Sequence, residues 1–201
     1  MSRPSVQFWF ELASTYTYVA AMRAEEEALQ AGVALIWKPF LLGPLFQRQG
    51  WNDSPFNLNP VRGRYMWRDV ARLCDKHNLP FKRPSQFPRN SLLAARVACA
   101  AEGRACLPEF VRAIYRANFA EDRDISDERI LGDVLRSMGE DAEAWLARAR
   151  SPEIKDRLRK ETDAAWELGI FGSPSFVAEG EVFWGGDRME DAFAWHHRGS
   201  R

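Results

Sequence analysis

The fold is decided by the stretch Phe8–Ala20, which reads FWFELASTYTYVA. Apolar Phe8, Phe10 and Leu12 alternate with the residues between them, and a period of two indicates a β-strand. The pattern then changes, because residues 16–29 are rich in Ala, Met, Glu and Leu and contain neither Gly nor Pro. That composition predicts a helix. A strand therefore passes directly into a helix within this stretch.

Ser14 lies at the junction, where its hydroxyl could act as the N-cap of the helix. The first turn of a helix has unpaired N–H groups and the positive end of the helix dipole, and both favour a bound anion. A thiolate is one such anion. This stretch alone leaves two roles open for Ser14, as a structural cap and as part of an anion-binding site.

Length, composition and charge limit the class of protein. The chain has 201 residues, 46% of them hydrophobic, which is enough for one larger domain or for a small domain with an insertion. Lys plus Arg equals Asp plus Glu at 28 each, so no net positive field favours nucleic acid. No apolar run approaches the ~20 residues of a membrane helix, and the first residues lack the apolar segment of a secretory signal. We therefore expect a cytoplasmic protein that binds neither nucleic acid nor membrane.

The three cysteines, Cys74, Cys99 and Cys106, include no C-x-x-C pair, and their odd number argues against a disulfide framework. Cys74 and Cys99 fall within apolar helical patterns, which is typical of buried, inert thiols. The histidines do not complete a set of metal ligands with them. We predict no metal site.

The chain after the first helix continues with an apolar, β-branched run, Val33–Trp37, that ends at Pro39. Strand, helix and strand make a βαβ unit, which implies a parallel pair with a right-handed crossover. Residues 41–64 are rich in Gly, Pro and Asn and predict a long loop, in which Asn52 is the polar residue of most interest. Between residues 64 and 150, apolar residues spaced by three and four predict helices only.

The last part of the chain predicts a helix that begins at Ser151, a hairpin that turns at Glu179–Gly180, and a final helix. The whole order, βαβ, helical block and αββα, predicts an α/β protein with a thioredoxin-like fold and a large all-helical insertion between its two halves. We assign residues 1–45 and 151–201 to the thioredoxin-like domain and residues 46–150 to the helical insertion domain.

Three motifs, spread nearly end to end, carry a resemblance to a known family. The first is Ser14–Tyr18, the second is Lys38–Gly43 leading to Asn52, and the third is Gly169–Phe176, completed by Phe183–Met189. Together they resemble the 2-hydroxychromene-2-carboxylate isomerase family. Its close relatives are the kappa-class glutathione transferases, within the DsbA-like thioredoxin superfamily.

The chain departs from the family pattern at three positions. Thr15 stands where the family commonly has Pro, and Ser173 stands where a small apolar residue is frequent. Gly186 stands where Asn or Ser is often found. These departures remove no residue expected to do chemistry, but they leave the substrate open.

The resemblance implies that the thioredoxin half binds glutathione as cofactor. Ser14 would donate a hydrogen bond to the glutathione sulfur and, together with the helix N-terminus, favour thiolate over thiol. The Ser173–Pro174 peptide would be cis, and the N–H and C=O of Ser173 would pair with the glutathione backbone as a short strand. Asn52 would reach glutathione from its loop.

Asp187, with the neighbouring Arg188, would contact the γ-glutamyl end of glutathione. The spacing from Asp187 to Glu190 is that of a capping box, in which the carboxylate needs no ligand. A carboxylate can fill both roles at once, because one oxygen can accept helix N–H groups and the other an ammonium group.

The reaction implied by the resemblance is the isomerisation of 2-hydroxychromene-2-carboxylate to trans-o-hydroxybenzylidenepyruvate, a step in aromatic degradation. The chromene opens and a carbon–carbon double bond changes from cis to trans. Rotation needs a nucleophile to add first, so glutathione thiolate would add, the bond would turn, and elimination would release both partners. The resemblance also implies a homodimer and a small aromatic-derived substrate.

Further substrate contacts stay open at this stage. The cationic candidates for a substrate carboxylate are Lys38, Arg62, Arg64 and Arg89. The candidates for an aromatic wall are Trp9, Trp51 and Trp67.

Three rival functions differ in what they do with glutathione. A kappa-class-like glutathione transferase would conjugate other electrophiles at the same thiolate site. A DsbA-like thiol oxidoreductase is disfavoured, because the cysteine nearest to Ser14 in sequence is Cys74. A non-redox, DsbA-like glutathione-binding protein would bind without turnover.

Overall fold

The computed structural model describes residues 3–195, and its strands form one mixed four-stranded sheet. The strands are β1 (Ser5–Phe10), β2 (Ala34–Pro39), β3 (Ser175–Ala178) and β4 (Glu181–Trp184). Their spatial order is β2-β1-β3-β4. The β1–β2 pair is parallel, with Phe8 opposite Trp37, and β3 pairs antiparallel with both β1 and β4.

Ten α-helices lie in the described part of the chain. They are α1 (Thr15–Gln30), α2 (Leu42–Arg48), α3 (Pro55–Leu58), α4 (Pro60–Lys76), α5 (Leu92–Ala100), α6 (Leu107–Phe119), α7 (Glu128–Ser137), α8 (Ala142–Ala149), α9 (Pro152–Glu167) and α10 (Met189–Ala194). A single 3-10 turn, Gly186–Arg188, precedes α10. The order β1-α1-β2, a run of helices, and α9-β3-β4-α10 confirms the predicted thioredoxin-like fold with its helical insertion. The division at residues 45/46 and 150/151 stays a prediction, and α2 runs through its first boundary.

Strand β1 is buried on both faces. On one face Phe8 lies 4.8 Å from Trp37 and 5.0 Å from Phe176 between ring centroids. On the other face Trp9 meets Phe40 at 6.1 Å, in a second cluster that includes residues of α2 and α9. The alternation in sequence therefore separates two apolar layers rather than a core face from a solvent face, as expected when helices cover both sides of a sheet.

The prediction of a loop over residues 41–64 is wrong. This segment contains α2, α3 and the start of α4. Ser54 and Asn59 cap α3 and α4 with their side-chain oxygens, and each is followed by a proline at the first helical position. Proline is favoured at that position because its fixed φ suits a helix start and its missing N–H would have no partner there. The same prolines and asparagines that suggested a loop are helix-start residues.

The predicted helix start at Ser151 and the hairpin are confirmed. The Ser151 side chain accepts a hydrogen bond from the N–H of Ile154 at 3.3 Å. Glu179 and Gly180 connect β3 to β4 with φ values of 52° and 83°. Two successive positive φ angles belong to the turn type that suits a two-residue hairpin.

Cys74 and Cys99 are buried, as predicted. Burial raises the pKa of the Cys74 thiol to about 11 and that of Cys99 to about 12, so both are protonated near neutral pH. Within residues 3–195 no three His, Cys, Asp or Glu side chains come together as metal ligands. No helix in that range is long and apolar enough to cross a membrane.

Candidate functional site

Ser14 is the N-cap residue of α1, half-buried and extended, with φ −80° and ψ 123°. Its hydroxyl does not form the predicted capping bond. Instead, Ser14 Oγ donates a hydrogen bond to the carbonyl oxygen of Ser173 at 3.0 Å. The N–H groups of residues 15–17 consequently have no partner among the described residues. The positive end of α1 is therefore available to an anion.

A cluster of hydroxyls lies behind Ser14. Thr17, one turn along α1 and fully buried, donates from Oγ1 to Ser14 Oγ at 2.8 Å. Thr17 Oγ1 also lies 2.7 Å from Ser173 Oγ. Ser173 Oγ accepts the backbone N–H of Glu11 at 3.0 Å. These bonds join the end of β1, the first turn of α1 and the segment that leads into β3.

The Ser173–Pro174 peptide is cis, as the family resemblance implied. The N–H of Ser173 has no partner within the described chain, although the residue is buried. The carbonyl of Pro174 accepts the N–H of Gly185 at 3.0 Å. The free N–H and the carbonyl of Ser173 form one donor–acceptor pair, the arrangement that an extended peptide can join as an added strand.

Glu11 is a buried acid immediately behind the hydroxyl cluster. Its carboxyl group accepts the N–H of Ala13 at 3.0 Å and the hydroxyl of Ser91. Its backbone carbonyl accepts the hydroxyl of Tyr115 at 2.8 Å. Burial raises the pKa of Glu11 to about 7, although the hydrogen bonds from Ser91 and Ala13 act in the opposite direction. Sequence reasoning noted Glu11 only as a strand residue, and its position three residues before Ser14 was the available signal.

Asp187 does not cap the last helix, so the capping-box prediction is wrong. Asp187 and Arg188 belong to the 3-10 turn before α10, and Arg188 occupies the N-cap position without a capping bond. Both are exposed, and Arg188 pairs with Asp191 at 3.2 Å. Gly185 links this turn to the rest of the site, because its N–H donates to the Pro174 carbonyl, and its φ of +111° is a conformation that favours glycine. Asp187 thus lies two residues from the contact with Pro174.

Asn52 is exposed between α2 and α3. No hydrogen bond joins its side chain to another residue of the described range. The structure brings Ser14, Ser173 and Pro174 into contact, with Asp187 nearby. It shows no contact between Asn52 and this group.

Two of the cationic candidates are already paired. Lys38 contacts Glu102 and Glu161, and these carboxylates raise its pKa although burial acts to lower it. Arg89 is buried against Asp122 and the Asn118 side chain. The other two, Arg62 and Arg64, are exposed and form no ion pair with described residues.

The three candidate tryptophans lie in different surroundings. Trp9 is buried in the sheet core, so it cannot form an exposed wall. Trp51 packs on Phe46, and Trp67 packs on Phe87 with Arg83 over its ring.

A further aromatic pair, Phe171 and Trp184, was missed in the sequence. The ring centroids are 4.9 Å apart, and the side chains are 47% and 54% exposed. Gly172 lies directly against the Trp184 indole and leads into the cis peptide. The signal was present in the third sequence motif, since Phe171 is two residues before Ser173.

Comparison with known proteins assigns the family. Residues 5–193 match the DSBA-like thioredoxin domain, and the chain belongs to that family. It is 27% identical over 187 residues to the 2-hydroxychromene-2-carboxylate isomerase of Sphingobium xenophagum, covering 92% of this chain and 94% of that protein. It is 24% identical over 200 residues to human glutathione S-transferase kappa 1, covering 92% of this chain and 88% of that protein. The resemblance seen in the motifs is confirmed.

Solved structures give the same fold. A 2-hydroxychromene-2-carboxylate isomerase superposes with a TM-score of 0.86 at 24% identity, covering 98% of this chain and 96% of that one. The cytosolic disulfide reductase DsbM of Pseudomonas aeruginosa, solved with GSH, superposes with a TM-score of 0.64 at 17% identity, covering 98% of this chain and 99% of that one.

Proposed function

We propose that this protein is a glutathione-dependent isomerase that converts 2-hydroxychromene-2-carboxylate to trans-o-hydroxybenzylidenepyruvate. The observation that carries the proposal is the pairing of Ser14, at the open N-terminus of α1, with the cis Ser173–Pro174 peptide. Relatives named as isomerases and as kappa-class transferases support a glutathione-related activity. The structural relative solved with GSH supports glutathione as the co-substrate.

The residues at the α1 N-terminus suit a thiolate. The three N–H groups that have no described partner attract negative charge together with the helix dipole, and the Ser14 hydroxyl supplies a donor at the same point. Within residues 3–195 the partners of the Ser14 side chain are Ser173 and Thr17 and include no cysteine or histidine base, so Ser14 acts as a hydrogen-bond donor rather than as a nucleophile. Glutathione supplies the nucleophile, which adds reversibly to the substrate double bond and is released unchanged after rotation.

The remaining contacts with glutathione are proposed from the position of each residue. The free N–H and the C=O of Ser173, held by Pro174 in the cis form, pair with the peptide backbone of glutathione. Asp187 and Arg188 take the γ-glutamyl end, since Asp187 is exposed and close to the Pro174 contact. Asn52 contacts glutathione through its exposed amide and has no competing hydrogen bond within the described chain.

The substrate itself fits a site beside the aromatic pair Phe171–Trp184. Flat aromatic surfaces are well suited to a chromene ring. Of the cationic candidates for the substrate carboxylate, Arg62 and Arg64 are favoured, because Lys38 and Arg89 are held by carboxylates.

The second candidate is a kappa-class-like glutathione transferase. It is favoured by relatives named as kappa transferases at identities near those of the isomerases. The same site would activate the thiolate, and the two activities differ in the fate of glutathione.

We further propose that the protein is a cytoplasmic homodimer that acts in aromatic degradation. The cytosolic relative DsbM agrees with the location, and sedimentation in solution tests the dimer.

The deciding experiment follows chromene absorbance and free thiol together. An isomerase gives trans product at a rate that depends on glutathione, while the free thiol concentration stays constant. Loss of thiol in proportion to product, or conjugation of a chlorinated nitroarene without chromene turnover, would favour the transferase. Stabilisation by glutathione without either reaction would leave a binding protein and overturn both enzymatic proposals.

A further inference from the structure

The contacts within the hydroxyl cluster indicate the direction of its hydrogen bonds. Each hydroxyl has a single hydrogen, and that of Thr17 is donated to Ser14 at 2.8 Å. The 2.7 Å contact between Thr17 and Ser173 must therefore use the hydrogen of Ser173. Ser173 Oγ in turn accepts the N–H of Glu11, so a backbone donor fixes the start of the chain of hydrogen bonds. These hydrogen bonds form a hydroxyl relay that runs from the N–H of Glu11 through Ser173 and Thr17 to Ser14.

We propose that Thr17 and the Ser173 hydroxyl are positioning residues that aim the Ser14 hydroxyl at the ligand sulfur, an inference that rests on the proposed function. Because Ser14 Oγ accepts from Thr17, its own hydrogen must point away from α1. In the structure that hydrogen is donated to the Ser173 carbonyl. When the glutathione backbone takes that carbonyl, the sulfur is the acceptor that remains.

The chain of hydrogen bonds also strengthens Ser14 as a donor. A hydroxyl that accepts a hydrogen bond becomes more polarised and donates more strongly, and buried chains of such bonds reinforce one another. Thr17 is fully buried and Ser173 is 9% exposed, so water does not compete for these bonds. The family pattern often has a small apolar residue at the Ser173 position. An apolar side chain has no hydrogen to donate to Thr17, so the bond from the Ser173 hydroxyl depends on the serine of the present chain.

A purely structural role for Thr17 makes a different prediction. Thr17 and Ser173 could simply tie α1 to the segment before β3, in which case their removal would lower stability alone. Two titratable groups lie nearby, the Glu11 carboxyl and the Tyr115 hydroxyl. Tyr115 donates its hydrogen to the Glu11 carbonyl, and its oxygen is a second neighbour of the Thr17 hydroxyl. Tyr115 therefore contacts the relay and cannot serve as a control, whereas Thr162 is a buried threonine of α9 outside it, so Thr162→Val is the matched control.

The test measures the thiol pKa of bound glutathione from the ultraviolet absorbance of the thiolate at saturating ligand. For Thr17→Val, which keeps the shape of threonine, we expect the thiol pKa to rise by about 0.5–1 unit, which is a three- to tenfold loss of thiolate at pH values well below the pKa. Ser173→Ala should give a smaller rise, since it acts one bond further away. Thr17→Ser should keep the wild-type value, and the control Thr162→Val should not change it.

The outcomes separate the relay from the proposed function. A lowered thiol pKa in wild type that is unchanged in both Thr17→Val and Ser173→Ala would overturn the relay and leave the proposed function intact. An equal rise in Thr162→Val would also overturn it, because the effect would then come from disturbance of the core. If wild type itself leaves the thiol pKa of glutathione at its free value, the proposed function fails first.

Discussion

Ser14 is half-buried at a point where several backbone groups have no partner among residues 3–195. A serine that only capped α1 would bond to an N–H of the first turn, whereas this one is bonded to the residue before a cis proline 159 positions away. The first-turn N–H groups are left without a partner in the described part of the chain, which is costly unless water or a ligand pairs with them. At the scale of the residue, the arrangement fits a binding group better than a cap.

Glu11 gives a prediction about stability and pH. Its pKa rises from 4.5 to about 7 on folding, mainly through burial. Between these pH values the folded state holds a proton that the unfolded state has lost, so the free energy of unfolding falls as pH rises. The slope is at most about 1.4 kcal/mol per pH unit. Glu11→Gln removes this titration, so its stability relative to wild type should increase from about pH 5 to pH 8.

Urea unfolding of wild type and Glu11→Gln at the two pH values measures this difference. Glu143→Gln is the matched control, because Glu143 is exposed and forms no ion pair with described residues. It should behave as wild type does. A constant stability difference between wild type and Glu11→Gln across this range would show that Glu11 does not titrate as its burial requires.

At the scale of the element, Gly63 allows α4 to cross α3. A Cβ at this buried position would collide with the backbone carbonyl oxygen of Phe56. A backbone atom cannot turn aside as a side chain can, so Gly63→Ala should destabilise the protein by about 1–3 kcal/mol despite the better helix propensity of alanine.

Gly132→Ala in α7 is the comparison for Gly63→Ala. The atoms nearest to its Cβ would be those at the flexible end of Arg136, at 3.2 Å, so the loss should be small or the protein slightly more stable. Thermal or urea unfolding of both variants measures the difference. Equal stabilities would mean that the α3–α4 crossing is not as close as described.

Local rules explain which elements were predictable. The β1-α1 junction, the α9 start and the β3-β4 hairpin each have a strong local signal, and all three occur in the structure. Helices α2 and α3 were missed because proline and asparagine are common both in loops and at helix starts. For Asp187, the capping spacing was present, but the positive φ of Gly185 leads into a 3-10 turn that places Arg188 at the cap.

At the scale of the whole molecule, partly buried ion pairs join the sheet to the helical segment. Lys38 of β2 contacts Glu102, after α5, and Glu161 of α9, while Glu102 also accepts Arg157. Arg89 ties the segment before α5 to the residues that follow α6 through Asp122. These contacts account for two cations that had been considered for substrate binding. Their partners are distant in sequence, so no local pattern could reveal them.

The principal residues of the candidate site were predictable from the sequence, but the contacts between them were not. Ser14 and the Ser173–Pro174 pair came from motifs and a family resemblance, and their contact is a property of the fold. The hydroxyl relay was not predicted, because Thr17 and Ser173 are 156 positions apart and meet only when β3 pairs with β1. A threonine one turn after Ser14 was visible in the sequence, but nothing there indicated its partner.

The central claim is that Ser14 and the α1 N-terminus hold glutathione as a thiolate, and its most direct test is the thiol pKa of glutathione bound to wild type and to Ser14→Ala. The ultraviolet absorbance of the thiolate, followed against pH at saturating glutathione, gives both values. We predict a pKa below that of free glutathione for wild type, and a rise of about 1–2 units in Ser14→Ala, as expected for the loss of one hydrogen bond to a charged sulfur. Identical thiol pKa values in the two proteins would contradict the account.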